Sequence, residues 1–131
     1  MRRAAVLGSP ISHTRSPDLH RAAYAELGLD WTYDAIECND RDFAAFFAGL
    51  DVQWRGLSLT MPLKEVVLDV VEDVDDRARQ VHSANTVWRT AGSSSWRATN
   101  TDIPGICSAL GDVGVDRLER VRIQGAGATA R

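Results

Sequence analysis

Thr60 closes an apolar, strand-like run, and Lys64 follows in the first turn of a helix opened by Pro62. In open α/β sheets the crevice beyond the carboxyl ends of the strands is where ligands bind. A helix is positive at its N-terminus, so a cation there is disfavoured. Lys64 also sits about 100° around the helix from Leu63, beside the apolar stripe rather than on it. A proton donor or an anion clamp accounts for such a lysine. The bland alternative, an exposed lysine in mild conflict with the dipole, costs only about 0.3–1 kcal/mol.

Three more stretches carry polar groups of the same kind. GSPISHTRSP, a hydroxyl-rich loop, follows the first predicted strand and offers Thr14 and Ser16 to a carboxylate or polyol. Ser16 before Pro17 also reads as a helix cap, a role that leaves its O–H free to donate. Asn85 opens a strand in apolar surroundings, where a buried amide needs partners or a ligand. Asp102 lies just ahead of a helix and reads first as an N-cap. If it meets Lys64 in space, the carboxylate holds the ammonium charged and oriented for general acid–base work. His13 is expected to pack in its loop, and His20 and His82 to be surface or satisfied histidines.

The chain ends on IQGAGATAR, from Ile123 to Arg131, which fits G-x-G-x-x-A after an apolar strand. Glycines at that spacing permit a tight turn and close approach of backbone to a pyrophosphate. The helix and the ribose-reading residue that should follow are not in the sequence.

The elements that must position these residues alternate. Ala4 to Gly8, Trp31 to Glu37 and Trp54 to Thr60 read as strands, and 120–125 as a further strand entering the glycine loop. Helices are expected from Ser16 to about Leu27, from an Asp40 cap through Leu50, and from Pro62 to Val71. A short helix falls within 72–83. NTVWRT and SSWRAT flank AGSS as a hairpin. A last helix after Asp102 should turn Ile103, Ile106 and Leu110 inward. Strands alternating with helices predict the α/β class, a mainly parallel sheet with helices on both faces.

With 131 residues, 44% of them hydrophobic, the chain can bury one ordinary core. A net charge of −3 without a basic cluster argues against a nucleic-acid partner. Nothing resembles a signal peptide or a membrane span, so a cytoplasmic location is expected. Cys38 and Cys107 have no metal-ligand spacing around them and read as core thiols; no metal is expected.

Taken together these stretches closely resemble the substrate-binding half of the shikimate dehydrogenase family. Its motif G-x-P-[IV]-x-[HK]-S-x-S-P is matched by Gly8 to Pro17, and V-T-x-P-x-K by Leu59 to Lys64. A-x-N-T is matched by Ser83 to Thr86, N-T-D by Asn100 to Asp102, and G-A-G-G-A-x-[RK] by Gly125 to Arg131. Five motifs in order over the whole chain make the resemblance specific. It implies NADPH-dependent reduction of 3-dehydroshikimate to shikimate, in aromatic amino-acid biosynthesis. Lys64 and Asp102 become the catalytic pair. Thr14 and Ser16 hold the substrate carboxylate, while Thr60 and Asn85, with Lys64 and Asp102, bind ring hydroxyls.

The same resemblance divides the chain into a shikimate-binding domain over 1–118 and the start of an NADP-binding Rossmann domain over 119–131. Gly125, Ala126, Gly127, Ala128, Thr129, Ala130 and Arg131 fall on the cofactor loop. The chain by itself is then expected to be inactive, and a homodimer is compatible with apolar surface exposed by the cut. Three positions depart from the pattern. Thr14 replaces Ser and adds a methyl group, Ile103 replaces the usual Gly, and Ala128-Thr129 replaces Gly-Ala. A quinate/shikimate dehydrogenase using NAD is the near alternative, and a non-catalytic shikimate-binding module the alternative of another class.

Overall fold

The computed structural model describes residues 1–90, 92–125 and 127. Six strands form one sheet in the order β2-β1-β3-β5-β6-β4. They are β1 (Arg2–Gly8), β2 (Trp31–Glu37), β3 (Trp54–Leu59), β4 (Asp73–Val74), β5 (Thr86–Trp88) and β6 (Arg97–Thr99). β1 pairs in parallel with β2 and β3, and β4 with β6; β5 is antiparallel to both of its neighbours. Every strand but β5 therefore points the same way, and the carboxyl ends of β1, β3 and β6 share an edge with the start of β5.

β1 lies between β2 and β3, and its side chains explain the layering. Alternate residues of a strand face opposite sides. Ala4 and Val6 pack with Ile11, Tyr33 and Tyr24 on one face. That face carries α1 (Ser16–Glu26). Ala5 and Leu7 join the larger core on the other face, with Phe43, Leu57, Leu63, Val67 and Val87. There lie α2 (Asp40–Ala48), α3 (Leu63–Val66) with a 3-10 turn over Val67–Asp69, and α4 (Asp76–Gln80). Helices on both faces of a mainly parallel sheet match the predicted class.

Several local expectations shift. α2 is capped by Asn39, whose side chain accepts from the N–H groups of Arg41 and Asp42, one residue before the expected Asp40. The single helix expected over 62–71 is a short α turn followed by a 3-10 turn. α5 (Asp102–Asp112) forms, but it buries no residue, and Ile106 is half exposed. Its apolar stripe marks a surface fit for burial, but burial needs a surface placed against it. The strand expected at 120–125 also does not form, because a strand without a neighbour has no ladder to hold it. Cys38 is buried as expected, whereas Cys107 on α5 is exposed.

Candidate active site

The shared strand edge fixes the site through main-chain bonds. Thr60 N–H donates to Leu7 C=O at 2.9 Å, Leu59 N–H to Asn85 C=O at 2.7 Å, and Asn85 N–H to Thr99 C=O at 3.1 Å. Residues just past β1, β3 and β6 and just before β5 thus stand in one row. Above them opens a cleft of about 610 Å³ whose wall includes Thr14, Ser16, Thr60, Lys64, Asn85 and Asp102. All six candidate substrate residues line this one cavity.

Lys64 reaches the cleft because its neighbour anchors the turn. Leu63 is fully buried in the core, so the next side chain emerges at the sheet edge. Lys64 Nζ lies 2.7 Å from Asp102 Oδ2, with the lysine 15% and the aspartate 34% exposed. The carboxylate is available because it does not cap its helix. Asn100, buried at 2% exposure, does the capping, and its Oδ1 accepts from the N–H groups of Asp102 at 3.0 Å and Ile103 at 3.4 Å. Its Nδ2 donates to Ser83 C=O at 2.9 Å and locks the amide in place.

Asn85 completes the cluster, donating from Nδ2 to Asp102 Oδ1 at 2.7 Å. Its Oδ1 accepts from Thr86 Oγ1, Thr101 N–H and Thr101 Oγ1 at 2.9, 3.0 and 3.0 Å. A main-chain N–H can only donate, so the amide cannot flip. Asn85 therefore presents donors alone, one spent on Asp102 and one left for the cleft. Lys64 keeps two of its three N–H donors. The cluster can hold a carbonyl or hydroxyl oxygen, pass it a proton from Nζ, and keep the ammonium oriented meanwhile.

The second pole is the hydroxyl pair. Thr14 Oγ1 donates to Ser16 Oγ at 3.2 Å and accepts from Ser16 N–H at 3.3 Å. Ser16 is the first residue of α1 and makes no cap bond, contrary to expectation; Thr14 satisfies the N–H instead, and the serine hydroxyl faces the cleft. The loop carrying the pair is tied down by Glu37 at the end of β2. Its carboxylate accepts from Ser9 Oγ at 2.5 Å and Ile11 N–H at 3.0 Å. Gly8 permits the turn, because a Cβ there would stand 2.3 Å from Thr60 Cγ2 and 2.9 Å from Met61 C=O.

The sequence pattern alone did not single out four other lining residues: Ser58, His20, Thr86 and Thr101. Spacing was a usable signal for two of them. Ser58 is two before Thr60 on a strand and His20 four after Ser16 on a helix, so each shares a face with a chosen residue. His13, expected to pack in its loop, is exposed on the cleft wall, and His82 is exposed elsewhere.

On the glycine loop, Gly125 has φ +107°, a conformation glycine adopts freely. Ala126, Ala128, Thr129, Ala130 and Arg131 lie outside the described residues. Among the described residues no group of three or more His, Cys, Asp or Glu side chains is placed to hold a metal ion. Nor is any helix among them long and apolar enough to cross a membrane.

A mainly parallel sheet with an ammonium–carboxylate couple at one end of its edge cleft and paired hydroxyls at the other defines an α/β domain for a small, polar ligand. Residues 6–87 match the family model of the shikimate dehydrogenase substrate binding domain, and the chain belongs to that family. A Synechocystis relative named shikimate dehydrogenase (NADP(+)) is 36% identical over 128 residues, covering 96% of this chain and 43% of its own length. The crystal structure of Mycobacterium tuberculosis shikimate dehydrogenase is 48% identical with a TM-score of 0.79, over 85% of this chain and 42% of that one. The Thermus thermophilus shikimate 5-dehydrogenase in complex with shikimate is 33% identical, TM-score 0.89, over 99% and 49%. The chain thus spans less than half the length of these relatives.

Proposed function

We propose that this chain supplies the substrate-binding and proton-transferring part of an NADP-dependent shikimate dehydrogenase, which reduces 3-dehydroshikimate to shikimate. The observation that carries the reading is the Lys64–Asp102–Asn85 cluster facing the cleft that also holds Thr14 and Ser16. A ring acid with several hydroxyls needs donors at both ends, and a site of fixed hydrogen-bonding partners rejects analogues that lack a hydroxyl. Relatives named for NADP and a relative crystallised with shikimate support the same reading.

NADPH, when bound, would supply the hydride that reduces the substrate carbonyl. What this chain contributes is the rest. Thr14 and Ser16 hold the substrate carboxylate, Ser16 donating its free O–H with Thr14 bonded behind it. Thr60 and Asn85 hold ring hydroxyls, and Lys64 Nζ gives its proton to the carbonyl oxygen as it becomes an alkoxide. Asp102 holds Nζ in line for the transfer. We assign residues 1–118 to the substrate domain and 119–131 to the opening of the cofactor domain, and infer a cytoplasmic enzyme. Homodimerisation belongs to the same reading and is checked by sedimentation of the full-length protein.

The test is steady-state kinetics of the full-length protein with 3-dehydroshikimate and either NADPH or NADH. NADPH turnover is expected, and Lys64→Ala should lower kcat by about 10²–10⁴, the usual range for a positioned acid. Shikimate binding should suffer far less. A variant that keeps most of its turnover removes Lys64 from the mechanism, and preference for NADH points to the NAD-using alternative.

A further inference from the structure

We infer that Tyr33 is a positioning residue of the cleft, fixing the Ser58 hydroxyl as a hydrogen-bond donor toward an oxygen of the bound substrate. The inference rests on the function proposed above and adds two residues to its substrate site.

Tyr33 lies on β2, across β1 from the cleft wall, and is buried at 2% exposure. Its hydroxyl donates to Ser58 Oγ at 2.7 Å, and Ser58 lines the cleft two residues before Thr60. Of the two hydroxyls the phenol is the stronger acid and so the better donor. Burial pushes its pKa up, outweighing the bond to Ser58, so the phenol keeps its proton throughout the neutral range. A serine oxygen that accepts from the phenol retains its own O–H, which is then free for the cleft side.

The tyrosine is itself held in place. His20 stacks on it with ring centroids 3.9 Å apart and planes within 8°. His20 Nδ1 lies 2.9 Å from Ser16 C=O. A carbonyl only accepts, so Nδ1 carries the hydrogen of that bond. Ser16, His20, Tyr33 and Ser58 therefore form a column joining the α1 wall of the cleft to its β3 floor. The Ser16 hydroxyl stands at one end and the Ser58 hydroxyl at the other. The column thus links these two groups, and the buried phenol satisfies its hydroxyl on a residue of the cleft wall.

The test is a double-mutant cycle on the full-length protein, reading KM and kcat for 3-dehydroshikimate with Tyr33→Phe, Ser58→Ala and the pair. Tyr33→Phe should raise KM about three- to tenfold, the usual worth of one hydrogen bond, with kcat within about twofold. In the Ser58→Ala background the same change should add almost nothing, because Tyr33 acts through Ser58. An unchanged KM, or equal losses in both backgrounds, overturns the inference while wild-type turnover leaves the proposed function standing. An unfolded Tyr33→Phe also overturns it, since a hydroxyl that only orients Ser58 is dispensable for folding. Wild-type protein without turnover removes the function and this inference with it.

Discussion

Asp102→Asn is the sharpest probe of the site, because it removes a charge and almost no volume. In the wild type both neighbours donate to the carboxylate: Lys64 Nζ to Oδ2 and Asn85 Nδ2 to Oδ1, each at 2.7 Å. An asparagine offers one oxygen and one NH2, so one of these contacts must become donor against donor. Asn85 cannot turn to relieve it, since Thr101 N–H holds its Oδ1. A hydrogen bond to a charged group is worth about 1.5–3 kcal/mol, and each 1.36 kcal/mol is tenfold in rate. With Asp102 34% exposed, solvent screening favours the lower part of that range. We expect kcat/KM for 3-dehydroshikimate to fall roughly 10- to 50-fold. The fold should hardly notice, because Asn100 rather than Asp102 satisfies the first N–H groups of α5. The lost acid costs that helix about 0.3–1 kcal/mol at most, a change of a few degrees in Tm. Kinetics and thermal melts on the same preparations decide the matter. A kcat/KM within about threefold of wild type, or a loss explained by unfolding, refutes the role given to the couple.

Two further outcomes are expected elsewhere in the molecule. Gly8→Ala should lower stability by about 1–3 kcal/mol, the range for overpacking, and raise KM, because its Cβ must displace Thr60 or the Met61 carbonyl; thermal melts and kinetics together check this. Asp75→Asn should flatten the acid limb of the stability curve. Burial alone would raise the Asp75 carboxyl, but the bond from Thr99, the Ala78 N–H and the charges of Arg77 and Arg97 outweigh it and hold it below the ordinary range. A carboxylate lowered in the folded state contributes stability in full above its unfolded value, about 3.9, and loses it as pH falls through the folded one. Urea unfolding at pH 7 and near pH 3 should therefore show wild type losing more than the variant between the two. Equal losses would contradict the assignment.

The sequence made the strands and the site residues readable for different reasons. β2 runs over Trp31–Glu37 as expected, since alternating β formers between turn residues leave little choice. The hairpin of β5 and β6 followed from its turn residues. Lys64 stood out because it put a cation where the helix dipole disfavours one, and Asn85 because it put an amide in apolar surroundings. Thr60 stood out by its place at a strand's carboxyl end, and Asp102 by its place with them despite a ready reading as a cap. Burial of α5 was not readable in the same way. A stripe of Ile103, Ile106 and Leu110 says what the helix can bury, whereas burial itself depends on a surface placed against it. The strand expected at 120–125 failed for the same reason, as an apolar run needs a neighbour before it becomes a strand.

The caps teach the complementary lesson. Ser16 and Asp102 both occupy positions where a cap is the economical reading, and in both cases a polar residue two positions earlier does the capping or satisfies the N–H. Thr14 serves Ser16, and Asn100 serves Asp102. Substitution at Asn100 should therefore reach the Lys64–Asp102 couple without touching it, since an Asp102 recruited to its own helix end is turned away from Lys64. The polar residues two positions before Ser16 and Asp102 are what release them: each of these two helix starts carries two groups able to take its N–H bonds, and only one is needed. Where a sequence places two such residues two positions apart beyond a strand's carboxyl end, the second is free to bind or react.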